Sequence, residues 1–118
     1  MSASAARRSA GAGPARVAPV FAALGNETRL RLVSRLGARG PMSIARLTEG
    51  TGVTRQAVTK HLRILEGAGL VRDEGKGRWH AWQVEPDRLE EARRWLRHIE
   101  GQWDEALARL KASVERPG

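Results

Sequence analysis

Apolar side chains recur along this chain at spacings of three and four, the signature of amphipathic helices, and glycine-containing breaks separate the runs. Val17, Val20, Phe21 and Leu24 predict a first helix, in which Pro19 is tolerable only near the start. Gly25-Asn26 ends it. Asn26 is placed to cap a second helix, with Leu30, Val33 and Leu36 expected to face inward and Arg29, Arg31 and Arg35 outward. Gly37 to Pro41 stops that helix, and Ser43 caps a short third one with Ile44 and Leu47 inward. Gly50-Thr51-Gly52-Val53 then makes a tight connection in which glycine supplies positive φ. A fourth helix covers residues 54–67, with Thr54 as its cap. After Gly67-Ala68-Gly69, residues 70–74 and 78–84 read as two strands joined by Gly75-Lys76-Gly77. A last helix runs from Pro86 or Asp87 to about Val114. The fold class is therefore mostly α with a small β-hairpin, in the element order of a winged helix-turn-helix.

The fourth helix carries the chemistry. Ala57, Val58, Leu62 and Leu65 form its apolar stripe, and Arg55, Gln56, Thr59, Lys60 and Arg63 occupy the opposite side. No carboxylate appears before Glu66, so a phosphate can approach the helix start unopposed. A basic helix face alone is as often a solvated surface as a binding surface. The preceding short helix and glycine turn decide for a helix-turn-helix with DNA as partner. In the hairpin, Lys76 and Arg78 suit a wing lying on the DNA backbone, whereas Asp73 and Glu74 favour a plain solvated turn. Beside a helix-turn-helix the wing reading prevails.

The apolar positions of the last helix, Leu89, Ala92, Leu96, Ile99, Trp103, Ala106, Leu110 and Val114, form an unbroken coiled-coil-like seam. Roughly 28 residues span about 42 Å, more than so small a domain covers with its own core. A homodimer is expected, with Leu89, Ala92, Leu96, Ile99, Trp103 and Leu110 at the interface, helped by Val17, Val20 and Phe21. Trp95 and Trp103 read as interface core in preference to a ligand pocket.

With 118 residues, the chain suits one domain. The expected division is a flexible basic arm over 1–16, the DNA-binding domain over 17–84, and a dimerisation helix with a short tail over 85–118. The formal charge of +8 is unevenly placed. Residues 1–84 hold 14 of the 21 Lys/Arg and 5 of the 13 Asp/Glu, so the attraction for polyanions lies there. The absence of cysteine removes disulfides and thiolate metal ligands. Neither a signal peptide nor a membrane span is readable, and the expected location is cytoplasmic.

Residues 20–32, Val-Phe-Ala-Ala-Leu-Gly-Asn-Glu-Thr-Arg-Leu-Arg-Leu, look like the opening of ArsR-type winged-helix repressors. Ser43-Ile44-Ala45 and the run from Gln56 to Val71, with its His-Leu pair and Ala-Gly-Leu-Val, resemble their helix-turn-helix and the start of the wing. The likeness covers about residues 17–110. It implies a dimeric transcriptional repressor acting at or near its own promoter. Carried over position by position, the DNA-contacting set is Thr54, Arg55, Gln56, Thr59, Lys60, His61 and Arg63, with Lys76 and Arg78 on the wing. The chemistry fits those roles. Arg55 or Lys60 can donate to guanine, Gln56 can pair with adenine, and the Thr59 methyl can meet a thymine methyl. Whether His61 contacts DNA or packs inside stays open.

The sequence departs from the family at the sensor. Many members bind metal through cysteines on the third helix, where this chain has Met42-Ser43-Ile44-Ala45, or through Asp and His on the last helix, which here offers only His98 and the distant Asp87. His61, His80 and His98 lie on three different elements, so no metal site and no cofactor are expected. An effector, if any, is an undefined small molecule or protein. Catalysis is not expected either, because no nucleophile with a partnered base or phosphate loop is readable. The alternative to a sequence-specific regulator is a winged-helix protein-interaction module or a non-specific DNA-architectural one. Lys76→Ala should weaken binding to all DNA sequences alike and flatten the salt dependence, as measured by titrations at several salt concentrations.

Overall fold

A computed structural model describes residues 13–75 and 80–115. In chain order the elements are α1 (Pro14–Leu24), α2 (Glu27–Arg39), α3 (Ile44–Thr48), α4 (Arg55–Gly67), β1 (Val71–Asp73), β2 (Trp82–Val84) and α5 (Pro86–Glu115). The two strands pair antiparallel, with Val71 opposite Val84 and Asp73 opposite Trp82. Both are shorter than the expected 70–74 and 78–84. Residues 76–79, including Lys76, Arg78 and Trp79, lie outside the described part.

Three helix starts are capped as their residue types require. Asn26 accepts from the Arg29 N–H, Ser43 from the Arg46 N–H and Thr54 from the Ala57 N–H. α1 begins at Pro14, where a missing N–H costs nothing, so residues 14–16 are helical and do not belong to the arm expected over 1–16. Pro19 sits inside α1, deeper than the sequence reading allowed. The carbonyl it leaves without a donor belongs to exposed Ala15, where water can serve. α4 ends in a Schellman motif: the Gly69 N–H bonds to Glu66 O and the Leu70 N–H to Leu65 O, both at 2.9 Å, with Gly69 at φ +77°.

One apolar core joins all the elements, drawing Leu32 and Leu36 from α2, Leu47 from α3, Val58, Leu62 and Leu65 from α4, and Trp82 from β2. Removing each such side chain from water stabilises the fold by about 1.5–3 kcal/mol. Trp82 also exchanges backbone bonds with Met42, N–H to O at 2.8 and 3.0 Å, which ties the loop before α3 to the hairpin. The expected burial of Leu30 is corrected: it is 51% exposed, and Leu32 is buried in its place. Leu32 and Leu36, four apart, share the inward face of α2, and Leu30, two residues before Leu32, is turned about 200° away from it.

Two carboxylates are held below the usual range. The Gly75 N–H donates to Asp73 Oδ1 at 2.9 Å, and the His80 Nδ1–H to Oδ2 at 3.1 Å, so backbone first and imidazole second favour the ionised Asp73. Glu91 receives Arg16 on both oxygens at 2.8 and 2.9 Å, with Arg88 alongside, and this pair clamps α1 onto α5. Both groups have folded values below their unfolded ones. Their stabilisation is complete above the unfolded carboxylate range and is lost as pH falls through the folded values, below about pH 4. Thermal melts followed by circular dichroism should therefore fall steeply below that pH. Asp73→Asn should melt lower at pH 7 and lose less on acidification; an unchanged acid slope would exclude the Asp73 contribution.

Candidate nucleic-acid interface

The helix-turn-helix is built by α3, a turn over 49–54, and α4. A five-residue helix leaves all its late carbonyls needing donors. Arg35 of α2 supplies them: its guanidinium donates to Arg46 O, Leu47 O and Glu49 O at 2.9, 2.7 and 2.8 Å. Thr51 gives both its N–H and its hydroxyl to Thr48 O, at 3.1 and 2.7 Å. Gly50 and Gly52 adopt φ of +76° and +74°, the left-handed turn that their residue type permits. Arg35 was expected to reach outward, but its donors turn to these carbonyls around the end of α3.

On α4, burying Val58, Leu62 and Leu65 sends Gln56, Lys60 and Arg63 to the far side, with Arg55 and Thr59 on one flank and His61 on the other. Arg55, Gln56 and Lys60 are exposed and make no side-chain hydrogen bond or ion pair among the described residues. No acidic residue lies in the first turn. The Arg55 and Gln56 N–H groups have no acceptor in the helix and face the approach of an anion. The Thr59 hydroxyl bonds back to Arg55 O at 2.9 Å, which leaves its methyl as the group for an outside contact.

Two of the carried-over residues have other partners. Arg63 donates to Glu66 Oε1 at 2.9 Å and lies 5.0 Å from the Trp82 ring centroid, a cation–π contact that joins α4 to the wing strand. His61 is half-buried, with Nδ1 3.2 Å from Arg29 Nη1. Arg29, expected to reach outward, thus points between helices. At the base of the wing, Arg72 pairs with Glu74 and Glu85. Lys76 and Arg78 lie outside the described residues.

A sequence model described as a helix-turn-helix domain matches residues 24–74. The HTH-type transcriptional regulator Rv2034 of Mycobacterium tuberculosis is 36% identical over 96 residues, spanning 81% of this chain and 86% of the relative. An ArsR-like transcriptional regulator from Rhodococcus sp. RHA1 is 37% identical and superposes with a TM-score of 0.72, over 87% of this chain and 96% of that one. The chain belongs to the ArsR family of winged helix-turn-helix regulators. A further solved structure, the homodimeric winged helix-turn-helix DNA-binding domain Mb0332 of Mycobacterium bovis, is 26% identical with a TM-score of 0.57, over 76% of this chain and 80% of that one.

In this ArsR-family regulator the residues expected at a dimer interface fall into two groups. Val17 and Val20 are 2% and 1% exposed in the single chain, and Ala92 is also buried. α1 packs on the start of α5 within the subunit and consumes them, with Leu89 and Phe21 partly buried against the same core. These positions belong to the subunit's own core and have little surface left for a partner. Ile99 is half-buried, whereas Leu96, Trp103 and Leu110 are exposed. Leu107 and Val114 join them on the outward seam.

The regulator's three histidines have separate neighbours: Arg29 for His61, Asp73 for His80 and Trp95 for His98, the last with ring centroids 5.8 Å apart. Among the described residues no three potential metal ligands come together. No described helix is long and apolar enough to cross a membrane.

Sequence reasoning missed Arg29 and Arg35 as builders of the motif. Their partners lie 6 to 32 residues away, and no local pattern marks them. For a matching operator, Arg55→Ala or Gln56→Ala should cost about 1–3 kcal/mol and leave random-DNA affinity less affected. Equal losses on both DNAs, measured by fluorescence anisotropy, would refute base reading at those positions.

Proposed function

We propose that this regulator is a homodimeric transcriptional repressor that binds an inverted-repeat operator. α4 enters the major groove, the wing over residues 75–78 lies on flanking phosphates, and the outer part of α5 pairs the subunits. The observation that carries the DNA reading is the outward side of α4, where Arg55, Gln56 and Lys60 stand exposed and unpaired with no acidic residue in the first turn. Thr54, Thr59, Lys76 and Arg78 complete the contact set. His61 and Arg63 act from its edges, being tied to Arg29 and to Glu66 and Trp82.

The dimer reading rests on α5. Residues 101–115 are exposed without exception in the single chain, and Trp103 and Val114 are 65% and 76% exposed. An apolar stripe of that length on a charged helix is stable in water only when covered. Pairing with a second copy covers it and sets two α4 helices on one DNA, so that two weak half-sites combine. The homodimeric Mycobacterium bovis neighbour supports this assembly. A dimer seated on a promoter represses by excluding polymerase, which needs no further domain. Residues 17–84 then serve DNA binding and residues 85–118 assembly, in the cytoplasm where the promoter is.

Selection of bound DNA from a randomised library, at two salt concentrations with EDTA present, should return an inverted repeat whose half-sites lie about one helical turn apart. No motif, with equal affinity for all DNA, would replace the repressor by an architectural role. Trp103→Asp should shift sedimentation from dimer to monomer and abolish operator binding at concentrations where the wild type is saturated. A dimer unaffected by that change would place the interface elsewhere.

A further inference from the structure

Arg29 occupies the first turn of α2, where a cation opposes the helix dipole, so its side chain is not there to stabilise its own helix. Its guanidinium instead reaches two acceptors on two other helices. Nε donates to Ala23 O at 2.6 Å, one of the late carbonyls of α1, and Nη1 lies 3.2 Å from Nδ1 of His61 on α4. We propose that Arg29 is a positioning residue: it joins the end of α1 to His61 and fixes the imidazole with its proton on Nε2, setting the orientation of α4 for DNA.

The tautomer follows from donor arithmetic. A guanidinium carries only N–H donors, so Nδ1 of His61 must accept and the ring proton resides on Nε2. His61 then has a single ring donor, Nε2–H, on the half-buried flank of α4, beside exposed Lys60. Two donors on a rigid fork serve two acceptors that belong to different helices, which the single ammonium of lysine cannot do in one pose. α1 is also clamped to α5 by the Arg16–Glu91 pair. The Arg29 bridge thus connects the helix bearing the proposed dimer seam to the helix proposed to read DNA. In that second half the inference rests on the operator reading above.

The test is made on full-length, nitrogen-15-labelled protein, with His61 signals assigned by their loss in His61→Phe. In the wild type, long-range proton–nitrogen spectra without DNA should show the Nε2–H form of His61. In Arg29→Met, which keeps the aliphatic stem, the shifts should move toward a mixture of tautomers. Operator affinity should fall about tenfold, with random-DNA affinity and dimerisation unchanged. In the His61→Phe background, Arg29→Met should add little further loss, because the two residues act as one unit. Arg29→Gln, the polar alternative should Arg29→Met fail to fold, is too short to hold both acceptors and carries an amide oxygen that can accept from Nδ1–H, so it should reproduce the tautomer shift and the non-additivity. Unchanged nitrogen shifts, or losses that simply add, would overturn the bridge. Failure of the operator reading is separable: the wild type would then show no specific binding while the nitrogen shifts still reported the Arg29–His61 pair.

Discussion

A helix has one phase, and α4 spends it on the core. With about 100° between successive residues, burying Val58, Leu62 and Leu65 leaves Gln56, Lys60 and Arg63 no choice but the opposite side. The groups offered to a partner are therefore set by the packing behind them. Neighbouring features keep that phase in place: the Thr54 cap fixes where α4 starts, and the Schellman turn at Gly69 fixes where it stops and hands the chain to the wing.

The arginines divide by what their donors meet. Arg35 satisfies two carbonyls of α3 and that of Glu49 just beyond it, and Arg29 satisfies one of α1 together with the imidazole of His61. The bonds to Leu47 O and Ala23 O, which are partly withdrawn from water, matter most, because a carbonyl cut off from water and left unpaired costs on the order of 1–3 kcal/mol. The solvent-facing pairs, such as Arg31 with Glu27, contribute little beside them. Arg55 and Lys60 have neither kind of partner among the described residues, and Arg55 stands in the first turn, where the helix dipole is positive. Uncompensated charge held there is a standing attraction for phosphate, and it gives the net charge of +8 a direction.

α5 plays two roles along its length. Its first turns, through Ala92 and Glu91, lock onto α1 and complete the subunit. Its last fifteen residues leave the subunit altogether, which is why the molecule measures 71 Å along one axis and only 42 and 21 Å along the others. Apolar residues continue past the point where the subunit ends. The excess of seam over core is the physical reason to propose a second surface that covers it.

Much of the architecture was legible in order along the chain. Helix number, the caps at Asn26, Ser43 and Thr54, the positive-φ turn at Gly50 and Gly52, and the outward face of α4 all follow from spacing and residue type within a few positions. The ArsR-type likeness read from residues 20–32 and 56–71 agrees with the relatives and the solved structures. Other features depended on the fold. The inward turns of Arg29 and Arg35, the bridge between Met42 and Trp82, the stacking of Arg63 on Trp82, and the exposure of Leu30 all involve partners distant in sequence. Periodicity likewise marked Val17, Val20 and Ala92 as apolar without saying what covers them, and the start of α5 covers the valines inside one subunit. Local sequence determines where each helix starts and stops and which of its positions are apolar, because that depends on a residue's own chemistry and its neighbours within a turn. Only the tertiary structure decides which surface meets those positions and which donors turn inward, because those choices depend on acceptors brought close by the rest of the fold.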